Sequence, residues 1–514
     1  MATTTAPEKR RTRFVDRFLN GVEWAGNKLP DPIFLFAAIC VLIVIASAIA
    51  AAAGWSVVHP ATGEAVEAVS LLDPDNLRRI ISEATANFGS FPALGLVLVV
   101  MLGIGLAEKS GWFEVLMRNA MVKAPKRMII PAIAFIGVLG NVAGDAAPIV
   151  LPPIAAMLFV QLGWHPLAGI CLAYAAALGG FAANLILGMS DALVFAFTEP
   201  AAALVDDTVQ VNTAMNYYFI AASVPILVLT VWLVTSKITI PRLGGYTNPE
   251  FVHEEIEEIT DRQRSALRWA NWSAILVVLA IVALSIPANG LMRNGETGSL
   301  LADSPLMNGV AILLAVLFFV PGLVYGMRTG KIRSSRDAAA MMTESMAGMG
   351  GFVVIVFFAS QMLAFFGWSN LGTIIAVEGA AALENQNGVV LIVGILILSS
   401  LVNLLIGSAS AKWAILAPIF VPMMMLLGFH PAFTQMIYRV GDSVTNPITP
   451  MMPYFALVLA LAQKYDKRMG IGTLIAAMLP YSFALGVVWT LFLIAWFLLG
   501  LPVGPGGPIH LEGM

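Results

Sequence analysis

The sequence predicts an all-α polytopic membrane protein with nine transmembrane helices, two oppositely oriented re-entrant hairpins and an inverted repeat. Three observations support this fold class. Hydrophobic residues make up 59% of the 514 residues, charged residues make up 11%, and the mean hydropathy is +0.85. Basic residues are concentrated in every second segment between apolar runs. The apolar stretch 151–166 recurs, with seven of sixteen identities, at 416–431. Soluble domains carry about 25% charged residues, so a soluble multi-domain enzyme is excluded.

Net charge and cysteine content exclude further classes of protein. The formal net charge of −3 disfavours a protein that binds nucleic acid. The two cysteines, Cys40 and Cys171, both lie in apolar runs, which disfavours a disulfide framework or a cysteine-based metal site. Basic residues precede the first apolar run, but this run is too long for a secretory signal. It is therefore predicted to be a membrane helix with a cytoplasmic N-terminal flank.

Nine apolar runs have about the 20 residues that a membrane-spanning helix needs. They lie at 32–53, 91–107, 166–187, 216–236, 270–287, 307–326, 350–366, 431–460 and 472–498. Two further runs, 128–162 and 389–427, are too long for one span and are interrupted by small polar residues and prolines. If each of these is a hairpin that enters and leaves on one side, the nine spans alternate.

The distribution of lysine and arginine supports this alternation. With the N-terminus inside, 23 of the 28 basic residues fall in predicted inside segments, three fall outside, and Lys412 and Arg439 lie within the membrane. The predicted organisation is a cytoplasmic N-terminus (1–31), a first half (32–236), a cytoplasmic linker (237–269), a second half (270–498) and a periplasmic tail (499–514). Residues 110–124 are predicted to form an amphipathic helix along the inner surface.

The second arm of each predicted hairpin is repeated. Between residues 151–166 and 416–431, seven of sixteen positions are identical without a gap, including the His-Pro dipeptides at His165 and His430. By the charge distribution the first hairpin opens inside and the second opens outside. This predicts an inverted repeat, an architecture common among secondary transporters.

Both hairpin tips are rich in glycine, asparagine and serine. Residues 140–148 and 403–413 permit non-helical backbone, which at membrane depth is tolerated only against protein or a wet cavity. Free N–H groups at helix starts attract anions, and carbonyl groups at helix ends coordinate cations. The alternative is that small residues allow close helix packing. We favour a binding site formed by the two tips together.

Charged residues follow the second hairpin within an apolar run. Arg439 and Asp442 lie one helical turn apart on one face, and Asp191 is a second carboxylate in the first half. Arg439 is a candidate for binding an anionic substrate group, and the two aspartates are candidates for proton or cation coupling. The alternative is that Arg439 and Asp442 neutralise each other. Asn446-Pro447 and Thr449-Pro450 are predicted to break the helix that follows and to free carbonyl groups. Trp413 is a candidate face for an aromatic or amide group, or else ordinary core filler.

Other chemistries have little support in the sequence. Its glycine-rich runs lie in apolar segments and not between a strand and a helix, so an ATP-binding loop is disfavoured. His165 and His430 each precede a proline and are far from other metal ligands, so neither a metal site nor a membrane-embedded enzyme is expected. An ion gradient is the predicted energy source, with H⁺ or Na⁺ as the coupling ion and no other cofactor.

Three motifs resemble the p-aminobenzoyl-glutamate transporter (AbgT) family. They begin at Val22 (VEWAGNKLPDP), at Asn141 (NVAGDAAP) and at Tyr438 (YRVGDS, followed by TNP). The resemblance implies a homodimer with nine spans and two oppositely inserted hairpins per protomer, an inner dimerisation domain, an outer transport core and a bowl-shaped inner cavity. It also implies a pathway through Asp191, Asn403, Ser410, Trp413, Pro431, Arg439, Asp442 and Pro450.

The predicted function is secondary active transport of p-aminobenzoyl-glutamate or related folate catabolites across a bacterial inner membrane. The alternative is proton-driven efflux of sulfonamide-type antimetabolite drugs. The expected partners are a small-molecule substrate, the lipid bilayer and a second copy of the chain. Candidate ion-coupling residues are Asn141, Asp145, Asp191, Asp442 and Asn446.

Overall fold

The computed structural model is mainly helical, in agreement with the predicted all-α fold class. It describes residues 32–58, 63–143, 146–246, 258–300, 304–452 and 454–511. The one sheet within these residues is an antiparallel pair, β1 (Ser56–Val58) and β2 (Ala65–Glu67), in which Val57 lies opposite Val66.

Ten helices lie in the predicted first half and at the start of the predicted linker. They are α1 (Pro32–Ala52), α2 (Pro74–Gly89), α3 (Pro92–Ser110), α4 (Trp112–Val122), α5 (Ile129–Leu139), α6 (Ala146–Gln161), α7 (Pro166–Gly179), α8 (Met189–Ala202), α9 (Tyr217–Val234) and α10 (Ile240–Leu243). Short 3₁₀ turns precede and follow α5 at Lys126–Met128 and Gly140–Ala143, and a π-helical turn, Thr235–Thr239, joins α9 to α10.

Eleven helices form the second half. They are α11 (Asp261–Ser285), α12 (Pro305–Asn308), α13 (Val310–Thr329), α14 (Ser335–Gly348), α15 (Gly350–Trp368), α16 (Leu371–Leu383), α17 (Gly388–Leu405), α18 (Ala409–Leu426), α19 (Pro431–Thr445), α20 (Phe455–Tyr465) and α21 (Ile471–Leu498). A 3₁₀ turn, Asn446–Ile448, follows α19.

Within the described residues, nine helices or continuous helical runs are long and apolar enough to cross a membrane. The number equals the predicted number of spans, but the members differ. The nine include both α17 and α18, the arms of the second predicted hairpin, because each has 18 residues. Length alone would let each arm cross, so the re-entrant course of the hairpins stays a prediction.

Two predicted spans are interrupted. The prediction of one helix over 166–187 is wrong, whereas the break predicted at Asn446-Pro447 within 431–460 is present. The first breaks after Gly179 into an irregular segment that ends at Gly188, where α8 begins. The second breaks at Asn446-Pro447, and α20 begins only at Phe455. Glycine is entropically costly in a helix and proline removes a backbone donor, so apolar character did not suffice to keep either run helical.

The two His-Pro corners have the same backbone geometry. Gly163 and Gly428 both adopt positive φ, at 73° and 82°. His165 Nδ1 accepts from the amide two residues later at 3.2 Å, and His430 Nδ1 does the same at 3.1 Å. One residue before each histidine, a single bridge joins Trp164 to Gly245 and Phe429 to His510. Both members of the second bridge lie 265 residues after those of the first, so the correspondence extends well beyond the sequence match.

The corners lie at opposite ends of α21. Leu167, beside the first corner, lines a cavity with Met469 and Thr473, where α21 begins. At the second corner, His430 N donates to Ile509 O at 2.9 Å, beyond the end of α21. A helix of 28 residues is about 42 Å long. This separation supports the predicted opposite orientation of the two hairpins.

The helix predicted along the inner surface is present as α4, but its apolar face contacts protein. Phe113 packs edge-on against Phe318 of α13 at 5.7 Å, and the Trp112 indole donates to Asn271 of α11 at 3.1 Å. Helices α2, α14 and α16 were not predicted, because they are short, polar or lie beside longer apolar runs.

Burial separates an inner group of helices from an outer one. Every residue of α7 is buried, and so is α19 from Pro431 to Val444. In contrast, α11 leaves large apolar side chains exposed, including Trp272 and Leu276, each at 62%. A lipid-facing surface is apolar, whereas buried charge marks a functional position in a membrane protein. The interior helices α7, α8, α18 and α19 therefore hold the candidate site.

Candidate functional site: a buried cluster of four charges

The candidate site lies where α8, α18 and α19 meet. Gly188 is extended and precedes α8, which places Asp191 in the first turn of that helix. Ser408 caps α18 and accepts from the amide of Ala411, so the next residues, Lys412 and Trp413, lie in its first turn. Helix α19 begins at Pro431 and carries Arg439 and Asp442 into the interior.

The first charge pair joins the two halves of the chain. Arg439 Nη1 lies 2.7 Å from Asp191 Oδ1, and the side chains are only 4% and 2% exposed. The other carboxylate oxygen, Asp191 Oδ2, accepts from the amide of Gly188 at 2.8 Å. The Arg439–Asp191 contact is an ion pair whose angles do not form a hydrogen bond. Because the Arg439 guanidinium is held by charge attraction without an aligned hydrogen bond, it can still donate aligned hydrogen bonds to a carboxylate that enters the site.

The second charge pair was not predicted. Lys412 Nζ lies 2.5 Å from Asp442 Oδ1, and the side chains are 0% and 3% exposed. The same ammonium contacts Asn403 Oδ1. Arg439 and Asp442 therefore pair with different partners, and the alternative that they neutralise each other is wrong. A lysine within an apolar hairpin, next to Trp413, was the sequence signal for this pair.

Asn403 connects the second hairpin to the break after α19. Its amide nitrogen donates to Asp442 O at 2.7 Å, to Thr445 Oγ1 at 2.8 Å and to Asn446 Oδ1 at 2.8 Å. Asn446 in turn donates to Leu178 O of α7 at 3.3 Å. The carbonyl and amide groups freed where α19 ends are thus held by side chains, as buried polar groups must be.

An aromatic pair lies next to both charge pairs. The Trp413 and Tyr438 rings stack at 4.4 Å with an angle of 23°. Trp413 Nε1 donates to Thr198 Oγ1 at 2.8 Å and to Val194 O at 3.1 Å. The Tyr438 hydroxyl donates to Ala409 O at 2.6 Å. Tyr438 thus covers one face of Trp413, which sequence reasoning did not find.

A chain of polar side chains leads away from Trp413. Thr198 Oγ1 lies 2.5 Å from Gln435 Oε1, and Gln435 Nε2 donates to Asn216 Oδ1 at 2.6 Å. Asn216 donates to Ala432 O at 2.7 Å. These bonds link α8, α9 and α19, so they fix the two halves relative to each other around the site.

The other predicted substrate residues lie at or near the ends of α18 and α19. Ser410 Oγ lies 3.2 Å from Ser408 Oγ at the start of α18. Pro431 is the first residue of α19 and is buried, and Pro450 is partly exposed just after the break. No metal-ligand group of three or more His, Cys, Asp or Glu side chains occurs within the described ranges.

Each hairpin tip packs against the irregular segment that follows a helix break. A Cβ at Gly188 would lie 3.5 Å from Val142 Cα of the first tip, and a Cβ at Gly407 of the second tip would meet Met451 O. Asn141 is 2% exposed and donates to Val138 O at 3.0 Å. None of the contacts described for Asn141 joins it to the charge pairs, and Asp145 lies outside the described residues.

The arrangement suits recognition of an anionic aromatic molecule. It combines two cations, two carboxylates that hold them, and a stacked aromatic pair in a low-dielectric interior. Charges in such an interior interact strongly and are costly when left unpaired. A carboxylate that enters can replace an internal one without changing the number of paired cations.

Comparison with known proteins identifies relatives over nearly the whole chain. Residues 17–511 match the model of the "AbgT putative transporter family". A protein of Escherichia coli (strain K12) named p-aminobenzoyl-glutamate transport protein is 38% identical over 487 residues, which cover 94% of this chain and 95% of that protein.

Two solved structures are similar in fold. The YdaH transporter of Alcanivorax borkumensis, described as having an unusual topology, has a TM-score of 0.88 and 40% identity and covers 93% of this chain and 100% of its own. Neisseria gonorrhoeae MtrF, described as illuminating a class of antimetabolite efflux pumps, has a TM-score of 0.89 and 43% identity and covers 96% and 100%.

Proposed function

The chain belongs to the AbgT family of membrane transporters, and we propose that it is a secondary active transporter of p-aminobenzoyl-glutamate or a related folate catabolite, driven by a proton or sodium gradient. The resemblance drawn from its motifs is confirmed. Like its relatives, the chain is a multi-pass membrane transporter and not an enzyme.

The observation that carries the substrate proposal is the pairing of Arg439 with Asp191. The pair is buried and poorly aligned. A substrate carboxylate that accepts two parallel bonds from the guanidinium would displace Asp191, because bidentate arginine–carboxylate contacts are the stronger ones. The stacked rings of Trp413 and Tyr438 offer an aromatic surface for an aminobenzoyl group once they separate.

The coupling proposal rests on the carboxylates and amides at the helix breaks. Asp191 and Asp442 are candidates to exchange a proton or sodium ion, and Asn446 supplies polar atoms at the break. Asn141 and Asp145 stay candidates on the first tip. Alternating access would move the hairpin tips past the broken helices, the arrangement expected of inverted-repeat transporters.

Membrane placement and assembly complete the proposal. We propose an inner-membrane location with the N-terminus cytoplasmic, the C-terminus periplasmic, hairpins 128–162 and 389–427 re-entrant from opposite sides, and a homodimer. The location of the two corners at opposite ends of α21 supports this orientation. The exposed apolar face of α11 supports contact with lipid or with a second protomer.

Flux in proteoliposomes tests the proposal. Labelled p-aminobenzoyl-glutamate should move only when a proton or sodium gradient is imposed, with the two gradients applied separately. Arg439→Gln should reduce this flux about 100-fold, the order expected when a buried charge contact is lost. Arg468→Gln, at an exposed arginine paired with Asp466, is the matched control and should leave flux unchanged. Flux that is independent of both gradients would contradict the proposal.

A second function, efflux of sulfonamide-type antimetabolites, is favoured by the description of MtrF. Expression in a susceptible bacterial strain should then raise the drug concentration that inhibits growth. Expression of the Asp442→Ala variant should not raise this inhibitory concentration. Lys412 would lose its partner, and the carboxylate proposed to exchange a proton would be absent. Equal drug tolerance with and without the parent protein would exclude this function.

A further inference from the structure

The four charges of the site form two separate and balanced pairs. Lys412 and Asp442 make one pair, Arg439 and Asp191 make the other, and each of the four side chains is at least 96% buried. The site therefore has no net charge when both carboxylates are ionised. Any anion that enters must be offset by a cation, because an uncompensated charge is strongly unfavourable in a low-dielectric interior.

We infer that the two pairs are two exchangeable receptors for the two carboxylates of the proposed substrate, and that each displaced aspartate takes up one proton. This inference rests on the transport function proposed above and specifies its coupling ion and its stoichiometry. Arg439 and Lys412 stay charged throughout. A substrate with two carboxylates takes both cations from Asp191 and Asp442, and two protons then restore a net charge of zero.

The chemical step is a protonation on each aspartate. The carboxylate oxygen that faced the cation accepts a proton from hydronium, which leaves as water, so that –COO⁻ becomes –COOH. The substrate carboxylate takes over the contact with Lys412 Nζ or Arg439 Nη1, and no other bond forms or breaks. Release of the substrate reverses both steps.

Lys412 is the reason to assign a proton and not sodium to Asp442. Its ammonium contacts Asp442 Oδ1 and Asn403 Oδ1, the two side-chain oxygens that a sodium ion would otherwise take as ligands. The amide nitrogen of Asn403, with two hydrogens, lies within 2.8 Å of three acceptors, so the nitrogen faces these acceptors and the amide oxygen faces Lys412. The Lys412 ammonium, which is bound to the chain, thus occupies the position that an exchangeable sodium ion would need.

The charge of the transported molecule then determines the sense of coupling. An anion that displaces the aspartates binds together with protons, so an inward proton gradient drives it inward. An uncharged molecule displaces neither aspartate and carries no proton with it. The structure therefore favours uptake of dicarboxylates over proton-driven export of neutral drugs at this site.

The test is to measure the proton stoichiometry with full-length protein in liposomes at zero membrane potential. The substrates are p-aminobenzoyl-glutamate, with two carboxylates, and p-aminobenzoyl-glutamine, with one. At balance, a pH difference of one unit should hold about a 100-fold gradient of the first compound and about a tenfold gradient of the second, as two protons and one proton require.

Variants separate the two receptors. The double variant Lys412→Met, Asp442→Asn removes one pair without leaving a buried charge of the protein unpaired. It should still hold about a tenfold gradient of p-aminobenzoyl-glutamine, and it should lose the 100-fold gradient of p-aminobenzoyl-glutamate, because the second carboxylate of that substrate would have no cation. The matched control Lys109→Met, Glu344→Gln removes a largely exposed lysine–glutamate pair of 2.6 Å and should change nothing.

The outcomes distinguish the two proposals. Equal gradients for both substrates, a double variant that keeps the 100-fold gradient, or a sodium gradient that replaces the pH gradient would overturn this inference while leaving transport intact. Failure of the parent protein to move either compound under any gradient would overturn the proposed function and this inference with it.

Discussion

The two helix breaks of the molecule share a backbone and differ in chemistry. Helices α7 and α19 start 265 residues apart after matching His-Pro corners, and α8 and α20 follow at nearly the same spacing. The charged residues are not repeated. At the same shift, the positions of Arg439, Asp442 and Lys412 are held by Tyr174, Ala177 and Ala147.

The one charge from the first half is Asp191, whose counterpart in the second half is Ala456. Its pairing with Arg439 therefore joins the two halves, as do the bonds from Thr198 to Trp413 and Gln435. The two breaks are thus similar in backbone, and only the second carries the two basic residues of the charge pairs. The contacts that a substrate would open are those that hold the halves together.

The largest expected effect comes from exchanging arginine in the charged copy. Arg439→Gln should lower p-aminobenzoyl-glutamate flux about 100-fold and reduce stability by about 3–5 kcal/mol, since Asp191 would be left buried without its cation. Tyr174→Phe, at the equivalent position of α7, should change flux less than about twofold. Flux assays and thermal unfolding check both. Equal losses in the two variants would show that the two copies share the binding role.

The next effect tests whether the tryptophan at the site acts beyond packing. Trp413→Phe removes the donor to Thr198 and should lower flux about tenfold, a loss of about 1.4 kcal/mol. Trp489 is also fully buried and donates to Ser223 at 2.8 Å, so Trp489→Phe is its matched control outside the site. The control should lower the melting temperature and leave flux per folded protein unchanged. A similar loss of flux in the control would assign Trp413 to the core alone.

The sequence predicted much of the frame because the frame depends on local signals. Apolar length, the lysine and arginine distribution and the His-Pro corners are local, and they located most of the long helices. The membership of the charge pairs is not local. Arg439 lies one turn from Asp442 in sequence but contacts Asp191 in another helix, and Lys412 reaches Asp442 only because α18 folds back along α19.

The break after Gly179 was missed for a physical reason, whereas the proline of Asn446-Pro447 indicated the other break in the sequence. Hydropathy averages over a window, so an apolar run containing Gly179-Gly180 has the score of a helix although its backbone ends there. The irregular segments that follow are stabilised by tertiary contacts such as Asn403 to Asn446. These contacts depend on residues far away in the sequence.

A smaller effect should distinguish the two hairpin tips. Gly407 lies against Met451 O, so Gly407→Ala should push the second tip from the break and cost about 1–3 kcal/mol. Val142, its counterpart in the first tip, already carries a side chain. Gly394→Ala, on α17 with open space around it, should be neutral or slightly stabilising and is the control. Flux and unfolding measurements that show no difference between the two glycines would contradict this role of the second tip.

The smallest effect on activity is expected at the two His-Pro corners. Variants there test whether the corners lie on opposite sides of the membrane. Gly163 and Gly428 share a positive φ and have no neighbour within 4 Å of a Cβ, so Gly163→Cys and Gly428→Cys should each cost about 1–2 kcal/mol and leave flux nearly unchanged. A membrane-impermeant thiol reagent should label Gly163→Cys only from the cytoplasmic side and Gly428→Cys only from the periplasmic side. The native Cys40 and Cys171 are buried and give little background. Labelling of both from one side would refute the opposite orientation of the hairpins, and the two breaks could then not be related by inversion across the membrane.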